Sequence, residues 1–252
     1  VLLARGDVAR AFDYCVRGSR IALEDGETPL VLKALECLAA FLSEAGMFSS
    51  ARCMAESFVE LAQSSGLLRC ELTARRQLAR ATVLSGDPGV SAGTTERWLG
   101  LSRLLEIPVE AALMNLEMVW NWLHNRDFTE ALRLAREGLE IARWLGLDAL
   151  IDDLLHLVGV VESAVSNPRK NFLRALEALE QALQGAEARK RPRLRWEVLE
   201  AMAAIYRERG KDDLAEEYQR RADEIECLMT SSLPPTLRDA RWHGRARIQR
   251  AL

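Results

Sequence analysis

The 252-residue chain lacks several features that would indicate particular classes of protein. It has only 15 glycines and 7 prolines against 49% apolar residues, which excludes collagen-like and disordered sequence. Its net charge of −3 gives no overall field that would attract nucleic acid or an anionic membrane. No apolar run approaches the roughly 18 residues that a transmembrane helix needs. We therefore expect an ordered, soluble, cytoplasmic protein with no membrane partner.

The five cysteines are an odd number, and none of them forms a Cys-x-x-Cys pair. This pattern predicts reduced thiols in a cytosol, not a disulfide framework or a zinc site. Cys15, Cys37 and Cys53 fall on the apolar stripes of predicted helices, so we expect them to be small core residues.

No catalytic motif is present. The three histidines, His124, His156 and His243, are too few and too scattered for a zinc protease or a Ser-His-Asp triad. Asp152 and Asp153 share a predicted helix face with His156, which is compatible with a metal contact, although a solvated charge cluster is the favoured interpretation. The sequence therefore predicts a protein that is not an enzyme and has no cofactor and no metal.

A regular repeat runs along the chain, and a missed repeat would lead to the wrong fold. The predicted turns inside each repeat lie at Gly6, Gly46, Gly86, Arg126 and Gly210, which sets the period at 40. A small residue follows five positions after each turn, at Ala11, Ala51, Ser91, Ala131, Ala175 and Ala215. Another compact residue precedes each turn by seven positions, at Ala39, Ala79, Val119, Gly159 and Ala203. The register slips by four positions between Gly159 and Ala175, most simply within 166–170.

Each repeat contains two helices, because the apolar spacing alternates between three and four residues. The predicted pairs are 30–45 with 49–63, 67–84 with 89–105, 108–124 with 127–145, 148–165 with 169–184, and 192–208 with 211–228. Thr28 is the expected cap of the first of these helices, and Pro29 lies in its first turn. Short turns make each pair antiparallel, and small residues allow the two helices to cross closely. We therefore predict an all-α fold, a right-handed α-solenoid of about six helix pairs.

The pattern resembles the tetratricopeptide family, which has Gly-x-x-x-x-Ala at the turn into the second helix, as in Gly46 to Ala51 and Gly210 to Ala215. The resemblance is best in the last repeat, at Leu199, Met202, Ala203, Tyr206, Gly210, Ala215 and Ala222. The period is longer than the roughly 34 residues that are usual in that family, and several repeats lack the final proline. The repeats are similar to those in the sensor regions of large bacterial signalling and transcription regulators. This resemblance implies a non-catalytic scaffold or sensor that binds a protein or peptide, or neighbouring domains of its own polypeptide.

The predicted domain organisation is a solenoid over 1–229, a linker over 230–235 and a basic segment over 236–252. Only five residues precede Gly6, so we expect a fragment whose first helix pair is truncated. The basic segment is interpreted as a capping helix or the start of a linker, and the alternative is a basic binding arm.

In a helical solenoid the first helix of each pair usually lines a concave groove. The predicted partner-binding residues of this groove are Lys33, Glu36, Arg76, Arg80, Trp120, His124, His156 and Arg207. Arg76 and Arg80 lie one helical turn apart and could form a fork for a carboxylate or phosphate, and Trp120 could anchor a partner side chain. The alternative interpretation is that the arginines are merely solvated and that Trp120 belongs to the core.

A basic patch lies between the fifth and sixth repeats, at Arg189, Lys190, Arg191, Arg193 and Arg195. Together with the arginine-rich C-terminus it provides the alternative function, nucleic-acid binding. A solvated loop is the favoured interpretation, because acidic residues surround the patch in sequence and no aromatic series accompanies it.

Overall fold

The protein is all α-helical in the parts that the computed structural model describes, which are residues 8–44, 47–84, 92–164 and 171–231. These parts contain no strand. The helices are α1 (Val8–Asp25), α2 (Thr28–Glu44), α3 (Phe48–Ser64), α4 (Leu68–Leu84), α5 (Ala92–Leu104), α6 (Pro108–His124), α7 (Phe128–Trp144), α8 (Asp148–Ala164), α9 (Asn171–Ala188), α10 (Pro192–Glu208) and α11 (Asp212–Ser231). The all-α prediction is confirmed.

The helices form a solenoid of stacked pairs. Each helix contacts the next along the chain, and the even-numbered helices also contact one another in the order α2, α4, α6, α8 and α10. Contacts limited to neighbouring units are typical of a helical-repeat solenoid. The even-numbered helices are the first helices of the predicted pairs, so they form one continuous row. None of the helices described here is long and apolar enough to span a bilayer.

The predicted period and its slip are both confirmed by the helix bounds. First helices begin at positions 28, 68, 108, 148 and 192, so their spacing is constant at 40 and lengthens to 44 only at its last step. The first helices end in the same register as far as Ala164, and α9 begins at Asn171. Six positions separate α8 from α9, three more than separate α6 from α7, and α9 is one residue longer than α7. The four additional residues therefore precede Ala175, as the sequence predicted.

Left-handed backbone marks the turns. Arg126 and Gly210, predicted as turns within pairs, have φ of 59° and 65°. Gly6, Gly46 and Gly86 lie outside the described residues. The structure adds a second set of left-handed residues between successive pairs, at Gly26, Gly66, Glu106, Gly146 and Lys190, which repeats the same spacing of 40, 40, 40 and 44.

The small residues lie where the helices cross. Ala51, Ala131 and Ala175 are fully buried, and Ser91 lies outside the described residues. A Cβ atom added at Gly159 would lie 2.5 Å from Cγ of Leu179 and 3.0 Å from the carbonyl oxygen of Ala175. Small side chains at both predicted positions therefore set the close approach of α8 and α9.

Three expectations are corrected. Thr28 is not a cap but the first helical residue, because the carbonyl of Glu27 accepts hydrogen bonds from the N–H groups of Leu30 and Val31 at 3.0 and 3.1 Å. The predicted linker begins too early, since α11 continues through positions 230 and 231 to its end at Ser231. Residues 232–252, with the remaining linker and the basic segment, lie outside the described residues.

The cysteines are the third correction. Cys37 and Cys53 are exposed and Cys15 is only half-buried, so none of the three is a core residue. They lie beside the buried stripe of their helices, where alanines such as Ala39 and Ala55 occupy the crossing points. All five thiols of the chain belong to described helices, and all five are free.

Candidate functional site

An open groove of about 710 Å³ lies along the row of first helices from α4 to α10. Its lining follows the repeat register, because Arg80, Trp120, Val160 and Ala204 occupy the same position in four successive repeats. A groove of this volume falls in the range of ligand-binding sites in proteins. The groove is therefore one continuous surface, built in part from equivalent positions of successive repeats.

Large and small side chains line the groove side by side. Trp120 on α6 and Trp196 on α10 line it together with Phe128. Ala201 and Ala204 line it from α10 with no more than a methyl group each. The aromatic rings offer apolar surface, and the alanines leave room beside it for the side chain of a partner.

The floor of the groove contains a buried carboxylate, Glu117 on α6. Its side chain is only 2% exposed, and its Oε1 lies 4.0 Å from Nη1 of Arg80. Burial raises the pKa of Glu117, although the nearby guanidinium groups of Arg80 and Arg76 oppose that rise. Oε1 of Glu117 has no hydrogen-bond partner among the described residues, since the Arg80 contact exceeds hydrogen-bond distance.

His156 on α8 lines the groove and is 5% exposed. Burial lowers its pKa, the charge of Arg193 lowers it further, and the charge of Glu197 opposes both effects. A buried imidazole with a lowered pKa is neutral near pH 7. His156 therefore offers a ligand a neutral donor and acceptor instead of a positive charge.

The structure brings together four of the predicted groove residues, namely Arg80, Trp120, His156 and Arg207. Lys33 and Glu36 lie outside this lining on α2, where they form an ion pair of 2.8 Å with each other. His124 is half-buried and also lies outside the lining.

The predicted fork of Arg76 and Arg80 faces carboxylates of the protein itself. Nε of Arg76 lies 3.6 Å from Oε2 of Glu110, and Arg80 pairs with Glu117 as described. Both acceptors belong to α6, so the two arginines join α4 to α6 across the row. An incoming anion would have to compete with these internal partners.

Two arginines of the predicted basic patch donate hydrogen bonds to aspartates of α8. Arg189 donates two hydrogen bonds to Asp152, one of 2.6 Å from its Nε, and Asp152 is 1% exposed. Arg191 donates to both carboxylate oxygens of Asp153, at 2.7 and 2.8 Å. These hydrogen bonds occupy the carboxylates of Asp152 and Asp153, which the sequence offers as candidates for a metal contact.

The other arginines of the patch are also paired. Arg193 donates to Glu197 at 2.9 Å, and Nη2 of Arg195 lies 3.6 Å from Oε1 of Glu187. Lys190 is exposed in the left-handed turn that precedes α10. The patch is therefore mainly an ion-pair network that connects α8, α9 and α10, with its positive charge largely neutralised.

Several lining residues were not predicted from the sequence, including Glu117, Arg126, Phe128, Trp196 and Ala204. The repeat alone could have predicted Ala204. It occupies the position in the last repeat that is equivalent to Arg80, Trp120 and Val160. Glu117 gave no such signal, because acidic residues on helices are ordinarily exposed.

Comparison with known proteins places the chain in a structural class. No protein-family model matches it, and no curated protein does. Among solved structures it is similar to the crystal structure of BtubC (BKLC) from P. vanneervenii, with a TM-score of 0.60 and 20% sequence identity, over 93% of this chain and 94% of that one. At this identity the likeness concerns the fold alone, which is a helical repeat.

Proposed function

We propose that the chain is a non-catalytic, tetratricopeptide-like scaffold or sensor module that binds a protein or peptide segment in the groove between α4 and α10. The Gly-x-x-x-x-Ala turns and the helical-repeat fold support the family resemblance. That resemblance suggests a bacterial signalling or transcription regulator as the parent protein, and the five free thiols suit a cytoplasmic location.

The observation that carries this proposal is the groove itself. It combines about 710 Å³ of open volume with aromatic side chains, small side chains and charged groups along equivalent repeat positions. Four first helices spaced about 8 to 10 Å apart make a surface roughly 30 Å long, which an extended peptide of about nine residues would span. Pockets that bind segments of partners are typically lined in this mixed way.

A groove-filling substitution tests the proposal. Phage-displayed random nonapeptides are selected on the immobilised protein, and enriched peptides are then tested on two variants. Ala204→Trp places an indole in the groove and is expected to abolish retention of the enriched peptides. Ala188→Trp makes the same change at an exposed residue of α9 outside the groove and is expected to leave retention unchanged. The proposal would be overturned if the selection enriched no peptide, or if both variants retained the enriched peptides.

Nucleic-acid binding is tested separately with labelled duplex and single-stranded DNA at about 0.15 M salt. We expect no binding at micromolar concentrations, because Arg189, Arg191, Arg193 and Arg195 are paired with carboxylates of the protein. Micromolar or tighter binding that is lost on Arg→Ala substitution in the patch would replace peptide binding as the function.

A further inference from the structure

Glu117 is an incomplete site on the floor of the groove. Its side chain is 2% exposed and its Oε1 accepts no hydrogen bond from the described residues, whereas buried carboxylate oxygens are usually satisfied by donors. The guanidinium of Arg80 reaches only to 4.0 Å from this oxygen. A buried oxygen without a hydrogen-bond donor is unfavourable, so a ligand that supplies an N–H donor would gain affinity at this atom.

The position next to Glu117 suits a long side chain with a charged end. Trp120 follows Glu117 by three positions on α6, and residues at this spacing lie on the same helix face. An arginine or lysine combines an apolar stem, which can pack on an indole, with N–H donors at its tip. A carboxylate floor beside an aromatic wall is complementary to such a side chain.

Two arginines limit how much positive charge the groove accepts. Arg126 and Arg207 line the groove, and the guanidinium of neither forms an ion pair or hydrogen bond among the residues that the structure describes. The lining contains four arginines and four glutamates, so it has no excess negative charge that would attract a run of basic residues. The groove therefore suits a segment with one basic side chain among neutral or acidic residues.

We infer that Glu117 accepts hydrogen bonds from a single arginine or lysine side chain of the bound segment, with the stem of that side chain against Trp120. This inference rests on the proposed peptide-binding function. It assigns the chemical class of the partner and places the polar anchor of the groove at one named carboxylate.

The nonapeptide selection gives the first test. We expect the enriched peptides to share one arginine or lysine and to lack clusters of basic residues. The most enriched peptide is then synthesised with a fluorescent label, together with versions in which its basic residue is replaced by citrulline or by norleucine. Norleucine removes every donor, and its peptide is expected to bind at least about tenfold more weakly in fluorescence anisotropy. Citrulline keeps N–H donors without charge and is expected to give an intermediate affinity.

Protein variants then locate the anchor. Glu117→Gln is expected to reduce the difference between the basic and norleucine peptides to less than about threefold. Glu162→Gln is the matched control, because Glu162 is a buried glutamate of α8 that pairs with Arg136 at 2.5 Å and does not line the groove. It is expected to keep the full difference. If Glu117→Gln does not fold, the norleucine peptide on the unchanged protein still tests the need for a basic side chain, and equal affinities of the basic and norleucine peptides would overturn the inference.

The outcomes separate the inference from the function on which it rests. Enriched peptides without a basic residue, or equal affinities of the basic and norleucine peptides, would overturn the role of Glu117 and leave groove binding intact. A selection that enriches nothing would overturn both.

Discussion

Gly185 is a glycine in the interior of α9 whose missing side chain makes room for an ion pair. A Cβ atom at this residue would overlap the carboxylate of Asp152 and would lie 2.5 Å from Nη2 of Arg189. We expect Gly185→Ala to separate Arg189 from the buried carboxylate of Asp152 and to lower the free energy of unfolding by about 3 kcal/mol, as measured by urea denaturation.

Gly100→Ala is the control for this prediction. Gly100 is an exposed residue of α5, and a Cβ atom there would meet nothing within 4 Å. Alanine favours the helix at such a residue, so this variant is expected to be about 1 kcal/mol more stable than the original protein. Equal effects of the two substitutions would show that helix propensity, not the ion pair, governs Gly185.

His156 makes stability depend on pH. Its pKa in the folded protein is lowered by burial, so the unfolded chain binds a proton more readily below about pH 6.5. The contribution of His156 is therefore present above that pH and is lost as the pH falls towards the folded-state pKa. We expect His156→Gln to remove this contribution, so that the variant loses less stability than the original protein as the pH falls from about 7.5 to about 5.5. If His156→Gln and the original protein lost equal stability over this range, other titrating groups would account for the pH dependence.

The crossing of α8 and α9 depends on a residue without a side chain. Gly159→Ala would force Leu179 and the backbone at Ala175 away from α8, because both lie within 3.0 Å of the new methyl group. Overpacking of this kind costs about 1 to 3 kcal/mol. Urea denaturation should show that loss, whereas Gly18→Ala, with nothing within 4 Å of its added Cβ, should show none.

The helices were largely predictable from the sequence, because each repeat has the same apolar spacing and the same small residues. The helix pairs, the period and the four-residue slip all agree with the structure, and most predicted helix ends are within three positions of the observed ones. The exception is the end of α9. The sequence suggests that a helix stops before Gly185, but α9 continues to Ala188, because that glycine serves a contact with Asp152 on another helix. A contact between side chains of two successive helices leaves no local pattern in the sequence.

The groove was predictable only in part, for a related reason. The repeat identified the first helices as its lining, and Arg80, Trp120, His156 and Arg207 do line it. The ion-pair partners of the arginines could not be inferred, since Arg76 on α4 pairs with Glu110 on α6. The burial of Glu117 likewise results from packing between repeats, which residue spacing does not encode.

The whole molecule has more than one apolar core. The larger core extends from Leu99 on α5 to Ile205 on α10, and a smaller one joins α2, α3 and α4 through residues such as Leu32 and Phe58. In a solenoid each unit is stabilised by itself and by its neighbours, so stability differs along the chain. The helices inside the larger core should therefore open least often.

Hydrogen exchange measured by mass spectrometry can test this distribution of stability. We expect the amides of α6, α7 and α8 to exchange most slowly and those of α1 and α11 to exchange fastest, because the two end helices have neighbours on one side only among the described residues.

Gly159→Ala should then accelerate exchange in α8 and α9 much more than in α2 and α3, since coupling in a repeat protein passes from neighbour to neighbour. Gly18→Ala serves as the comparison and should leave α8 and α9 unchanged. Uniform acceleration along the chain on Gly159→Ala would mean that the solenoid unfolds as a single cooperative unit despite its divided core.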